Sequence, residues 1–267
     1  MTTRRDNRLK YFVLGFATFW LATTLEFTFT ATPTRYDGKG KEDGWNPKGD
    51  HPCTIERISI EDFLKEYGEK GGLPALFDRP IVITKFAVGR EGKGSQKSRN
   101  SNFQNLTRVD SILNSFPANF TVTLSSSNSF SEHRRTIPFA QYLNEVTTGP
   151  ALDADMKANE TWYFFGETYS SEWKKLLNAY ELPPCQTCSE FDLVALSFGI
   201  GNSGSGVAWH IHGPGFSEAI HGRKHWILYP FDNEPDFHPD QTSLNWMHYN
   251  YAASMNSENV PFECTLL

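Results

Sequence analysis

Net positive charge is missing from this sequence: across 267 residues, 25 Lys and Arg face 31 Asp and Glu, a formal charge of −6 at neutral pH. Such a chain lacks the surface-wide electrostatic footprint of a nucleic-acid binder, so no nucleic-acid partner is expected. Cysteine is scarce. The four present, Cys53, Cys185, Cys188 and Cys264, include one close pair but no second pair at a suitable spacing, and a structural zinc site is not indicated. Pro183 and Pro184 place Cys185-Gln-Thr-Cys188 in a loop rather than at a helix N-terminus that would activate a thiol for redox chemistry. No internal repeat is visible, and nothing marks a repeat architecture. What is present is apolar material: 39% hydrophobic and 14% aromatic residues exclude a wholly disordered chain.

The positive charge that exists is concentrated at the start. Arg4, Arg5, Arg8 and Lys10 stand against Asp6, a net +3 that leaves −9 for the remainder. An apolar run from Tyr11 to Leu25 follows, with the length and flanks of a secretory leader. Residues 1–30 are therefore read as a signal peptide or an uncleaved signal anchor; Ala22-Thr23-Thr24 supplies small residues for cleavage without fixing the site. Contact with a membrane is expected only through such an anchor, basic end cytoplasmic and body luminal. Three sequons, at Asn105, Asn119 and Asn159, each carry a threonine two residues on. With the leader they predict a glycoprotein of the endoplasmic reticulum lumen. That compartment favours disulfides, and four cysteines allow three pairings.

Residues 31–52 are Gly-, Lys- and Asp-rich without periodicity and read as a linker; residues 53–267 form the folded body. Ser59-Ile-Glu-Asp62 opens a short helix bearing Phe63, Leu64 and Tyr67, ended by Gly71-Gly72. Pro80 to Thr84 reads as a strand, Leu106–Phe116 as one helix, Phe120–Leu124 as a strand and Pro138–Val146 as a helix. Trp162–Phe165 reads as a strand and Ser171–Tyr180 as a helix. From Phe191 the pattern turns to strands: Leu193–Phe198, Val207–His212, Ser217–His221 and His225–Tyr229. The expected fold class is α+β, helices and strands first, then a strand-rich half.

His210 and His212 lie two apart on a predicted strand, so both imidazoles point to one face and can approach one metal ion. The competing reading pairs one histidine inside the core and exposes the other. A non-haem Fe(II) oxygenase takes two histidines and a carboxylate. Glu218 is a remote candidate for the carboxylate, although Gly213-Pro214-Gly215 interrupts the strand before it. His221 and His225 flank the Gly222-Arg223 turn and are expected at the surface.

His210-x-His212 followed by Gly222-Arg-Lys224 and Leu228-Tyr-Pro230 resembles the jumonji-C domain of cupin-type 2-oxoglutarate oxygenases, whose pattern is His-x-Asp/Glu, Gly-x-Lys and Leu-x-Pro. The likeness runs from about Cys53 to Cys264 through Thr161 to Gly166, Glu172-Trp173, Ser197 to Ile200, Phe237-His-Pro239 and Glu263-Cys-Thr265. It is most similar to a branch in which His-x-His-Gly-Pro-Gly replaces the acidic motif.

The resemblance implies a double-stranded β-helix, Fe(II) and 2-oxoglutarate as cofactors, His210 as first iron ligand and Lys224 as partner of the 2-oxoglutarate carboxylate. His212 then stands where the acidic ligand belongs. Family members continue into further strands carrying a last histidine, so the expectation here is a barrel incomplete at its C-terminal strands with the third metal ligand missing. That implies a catalytically degenerate relative acting by binding or regulating an unidentified protein partner; an active protein hydroxylase is the alternative, and a zinc-binding module a third.

Overall fold

A computed structural model of the chain describes residues 11–15, 21–25, 53–67, 79–84, 99–126, 134–148, 162–166, 168–182, 196–202, 204–212, 215–230, 232–235, 237–238 and 240–266. In chain order these form β1 (Tyr11–Gly15), β2 (Leu21–Leu25), β3 (Glu56–Ser59), α1 (Ile60–Tyr67), β4 (Ile81–Thr84), α2 (Ser101–Leu106) and α3 (Val109–Ile112) with a 3-10 turn at Leu113–Ser115. Then come β5 (Thr121–Ser125), β6 (Arg134–Pro138), α4 (Phe139–Thr148), β7 (Tyr163–Phe165), α5 (Ser171–Leu177) and β8 (Leu196–Gly201). The strand-rich part holds β9 (Val207–His212) and β10 (Lys224–Pro230), followed by α6 (Ser243–Tyr249), α7 (Tyr251–Met255) and β11 (Phe262–Leu266).

The class is α+β. One sheet runs β11-β10-β1-β9, a second β2-β8-β7-β5-β6, and β3 pairs with β4. The leader reading takes residues 1–30 out of the folded body, whereas here β1 lies antiparallel between β9 and β10, with Val13 level with both His210 and Leu228, and β2 runs parallel to β8. Backbone satisfaction accounts for the placement: without β1, the facing edges of β9 and β10 would each present a row of unpaired amides and carbonyls. No helix among the described residues is long and apolar enough to cross a membrane. The expected linker, Asn159, Cys185 and Cys188 lie outside the described residues.

Local chemistry explains where elements begin. The Ser59 hydroxyl accepts from the Asp62 amide at 3.1 Å and donates to the Asp62 carboxylate at 2.6 Å, which starts α1 as its sequence predicts. The single helix expected over Leu106–Phe116 is instead broken into α2, α3 and the 3-10 turn. Thr107 turns its hydroxyl back onto Phe103 O at 2.8 Å, and Arg108 is extended at φ −63°, ψ 149°. Pro138, expected to open a helix, closes β6 and α4 begins one residue later. The strand expected over Ser217–His221 is reduced to single β-bridges at Ser217 and His221 with irregular backbone between them, held by side-chain bonds described below.

Two apolar clusters cover the sheets. The larger gathers Phe103, Leu124, Phe139, Leu143, Phe164 and Phe198 around Trp173, whose ring stacks on Phe164 at 5.0 Å. Truncating a buried ring of this size costs about 3–5 kcal/mol, so Trp173 is a principal anchor of α5. Tyr142 fixes α4 to the same sheet by donating to Ile200 O at 2.6 Å and accepting from Phe164 N at 3.1 Å. The smaller cluster packs Trp209, Ile227 and Tyr229 against Trp246, Met247 and Tyr251 of α6 and α7.

Candidate functional site

Alternation along β9 sets the site. Trp209 enters the smaller cluster, so Ala208, His210 and His212 occupy the other face. The two imidazole centroids are 5.2 Å apart with planes at 79°. His210 Nδ1 lies 2.8 Å from Ala208 O; since a carbonyl only accepts, Nδ1 carries the proton and a neutral ring keeps its lone pair on Nε2.

The cross-strand register puts Leu228 level with His210 through Val13, and alternation then places Lys224 and Trp226 on the same face as the two histidines. Lys224 is four residues from that level. Gly222, at φ +70°, makes the turn that delivers it into β10. The lysine is 2% exposed, donates to Ser217 Oγ at 3.2 Å and sits 4.6 Å over the Trp226 ring. It is thus a buried cation rather than a solvated turn charge.

His221 and His225 depart from the expected surface placement. His221 Nε2 is 3.0 Å from the Thr107 hydroxyl, and burial holds its imidazole below the usual range. His225 is buried, with Nδ1 2.8 Å from Thr265 Oγ1 and Nε2 3.1 Å from Glu263. Tyr251 donates to the same carboxylate at 2.9 Å, and burial followed by the Glu263 charge pushes its phenol well up. A histidine beside a glycine turn looks like a surface group in sequence; its partners come from residues 107, 263 and 265, which only the fold brings near.

Glu218 is directed to other partners. Its carboxylate accepts from Arg99 at 2.8 Å, from Asn100 Nδ2 at 3.1 Å and from the Tyr180 hydroxyl. Burial and the neighbouring Glu218 charge push the Tyr180 phenol well up, keeping it a donor. Asn100, Gln104 and Thr107 bond Glu218, Ile220 O and His221 in turn, so one stripe of α2 and its flanks secures this whole segment. Their spacing of four and three was the signal available in sequence, but a polar stripe ordinarily faces water.

Against known proteins, the chain is 35% identical over 244 residues to JmjC domain-containing protein 8 of Homo sapiens, covering 86% of this chain and 81% of that protein. The corresponding protein of Mus musculus is 34% identical over 237 residues, covering 84% and 79%. The chain belongs to the JmjC-domain family. No family model matches it, and no solved structure does. As a JmjC-family chain it inherits a cupin-like architecture, with which the mixed helices and antiparallel sheets agree, and a family whose general cofactors are Fe(II) and 2-oxoglutarate.

The donor set of the described residues does not fit that iron centre. Among the described residues no group of three His, Cys, Asp or Glu is gathered around one point. His210 and His212 supply two imidazole nitrogens and no carboxylate, and the carboxylate of Glu218 is engaged elsewhere. An Fe(II) site of this type takes two histidines and one carboxylate. What remains is a pair of imidazoles on a sheet face and, further along that face, a buried cation able to attract an anion.

Proposed function

We propose that this chain is a luminal protein of the endoplasmic reticulum in which the oxygenase chemistry of the JmjC family has been lost and the fold, a double-stranded β-helix, acts by binding or regulating a protein partner. The engagement of Glu218 by Arg99, Asn100 and Tyr180 carries the reading: the carboxylate closest in sequence to the imidazole pair is neutralised by a guanidinium and hydrogen-bonded at both oxygens. His212, occupying the family's acidic ligand position, contributes no negative charge to hold Fe(II).

Two features support the compartment. Cys53 and Cys264 form a disulfide, and Asn105 and Asn119 are both exposed, the latter in a turn. Expressed protein treated with an endoglycosidase specific for high-mannose glycans gains gel mobility on this reading; unchanged mobility with unmodified asparagines counts against it.

The chemical test is succinate formation by the full chain supplied with Fe(II), ascorbate and 2-oxoglutarate, beside the His210→Ala, His212→Ala double variant. Equal background turnover in both is expected. A clear signal abolished in the double variant would establish the active hydroxylase instead.

A further inference from the structure

The disulfide between Cys53 and Cys264 spans 211 residues and fastens the start of the folded body to β11, the edge strand beside β10. Its two ends differ in environment: Cys53 is half-buried, whereas Cys264 is fully buried. One side chain addresses both sulfurs. Arg57 Nε lies 3.3 Å from Cys53 Sγ, and its terminal nitrogen lies 3.6 Å from Cys264 Sγ. A disulfide serving only as a staple gains little from a guanidinium at each sulfur; a thiolate leaving either one gains a charge-assisted partner at once.

We propose that Cys53–Cys264 is a reversible redox latch on β11, opened by an external dithiol and poised by Arg57. The thiolate of the dithiol attacks the sulfur of Cys53, the less buried of the two cysteines, the Cys53–Cys264 bond breaks, and Cys264 departs as a thiolate facing Arg57. The second thiol of the reductant loses its proton and attacks the mixed disulfide, which releases Cys53 and leaves the reductant oxidised to its own disulfide. Two electrons and two protons pass to the protein, giving two thiols.

Reclosure is built in. Thr54 N donates to Glu263 O at 2.8 Å and Glu263 N donates to Thr54 Oγ1 at 2.9 Å, so the residues adjoining the two sulfurs stay aligned without the covalent bond. The mechanical consequence falls on β10. Its register with β11 sets Lys224 opposite Leu266 and His225 opposite Thr265, and Glu263 grips His225 and Tyr251. With the latch open, β11 is an edge strand held by one ladder and these polar contacts, and the end of β10 that carries Lys224 loosens with it.

The test equilibrates the oxidised full chain in buffers of reduced and oxidised dithiothreitol without denaturant, and counts free Cys53 and Cys264 by alkylation and mass spectrometry. The wild-type bond opens while the protein remains folded. Arg57→Ala requires a ratio of reduced to oxidised dithiothreitol about fivefold higher for half-opening, and Arg57→Lys regains most of the difference. Amide exchange over Phe262–Leu266 rises on opening. Three results overturn the proposal: opening only where the chain unfolds, the same midpoint in Arg57→Ala as in wild type, or unchanged exchange in β11.

Discussion

His221 shows how a single side chain acquires a role from its surroundings. Its ring is partly buried against α2 and meets the Thr107 hydroxyl, and desolvation is the main reason its pKa falls. The sign follows by linkage. Because the folded pKa lies below the unfolded value of about 6.5, the unfolded chain binds the proton first, and stability is complete above that value and declines as pH falls toward the folded pKa. We therefore expect the urea midpoint to drop between pH 7.5 and pH 5.5. His221→Gln, which keeps a hydrogen-bonding partner for Thr107, drops less over that interval. Equal drops in the two proteins would remove His221 as a contributor. Nothing in the residues around Gly222 announces this, since Thr107 is 114 positions away.

At the scale of elements, the chain's own chemistry is strongest where one residue fixes one end. Thr242 caps α6, its hydroxyl accepting from Asn245 N at 3.1 Å, and the next residue, Ser243, donates to Gly206 O and Val207 O at 3.1 and 3.0 Å. The cap thus also positions Trp246 against Trp209, 5.0 Å away and one residue before His210. Thr242→Ala is expected to cost about 1–2 kcal/mol in chemical denaturation and to speed amide exchange in α6. A loss below a few tenths would mean that packing alone holds the helix. The β9 boundaries, Val207–His212, agree with the expected strand, and β4, β5, β7 and β10 fall within a few residues of theirs. In these segments β-branched and aromatic residues, bounded by turn residues, favour extended backbone locally. Helices α6 and α7 were not anticipated: they are short, and their apolar residues serve a cluster whose other half lies on β9 and β10.

Across the whole molecule, the longest-range decision is the joining of Cys53 to Cys264. Closing a loop of 211 residues restricts the unfolded chain severely, and Cys53→Ser is expected to lower stability by about 3 kcal/mol, measured as unfolding free energy under non-reducing conditions. A change under 1 kcal/mol would show the ends already held by the Thr54–Glu263 bonds. The sequence by itself determined the acidic balance, the α+β class, the positions of β4, β5, β7, β9 and β10, the family, and the common face of His210 and His212, because composition and alternation act over a few residues. Only the tertiary structure decided which cysteines pair, that Lys224 and His225 are buried, that β1 lies between β9 and β10, and that Glu218 turns to Arg99, Asn100 and Tyr180. These outcomes depend on partners distant along the chain, and no local pattern records which partner arrives.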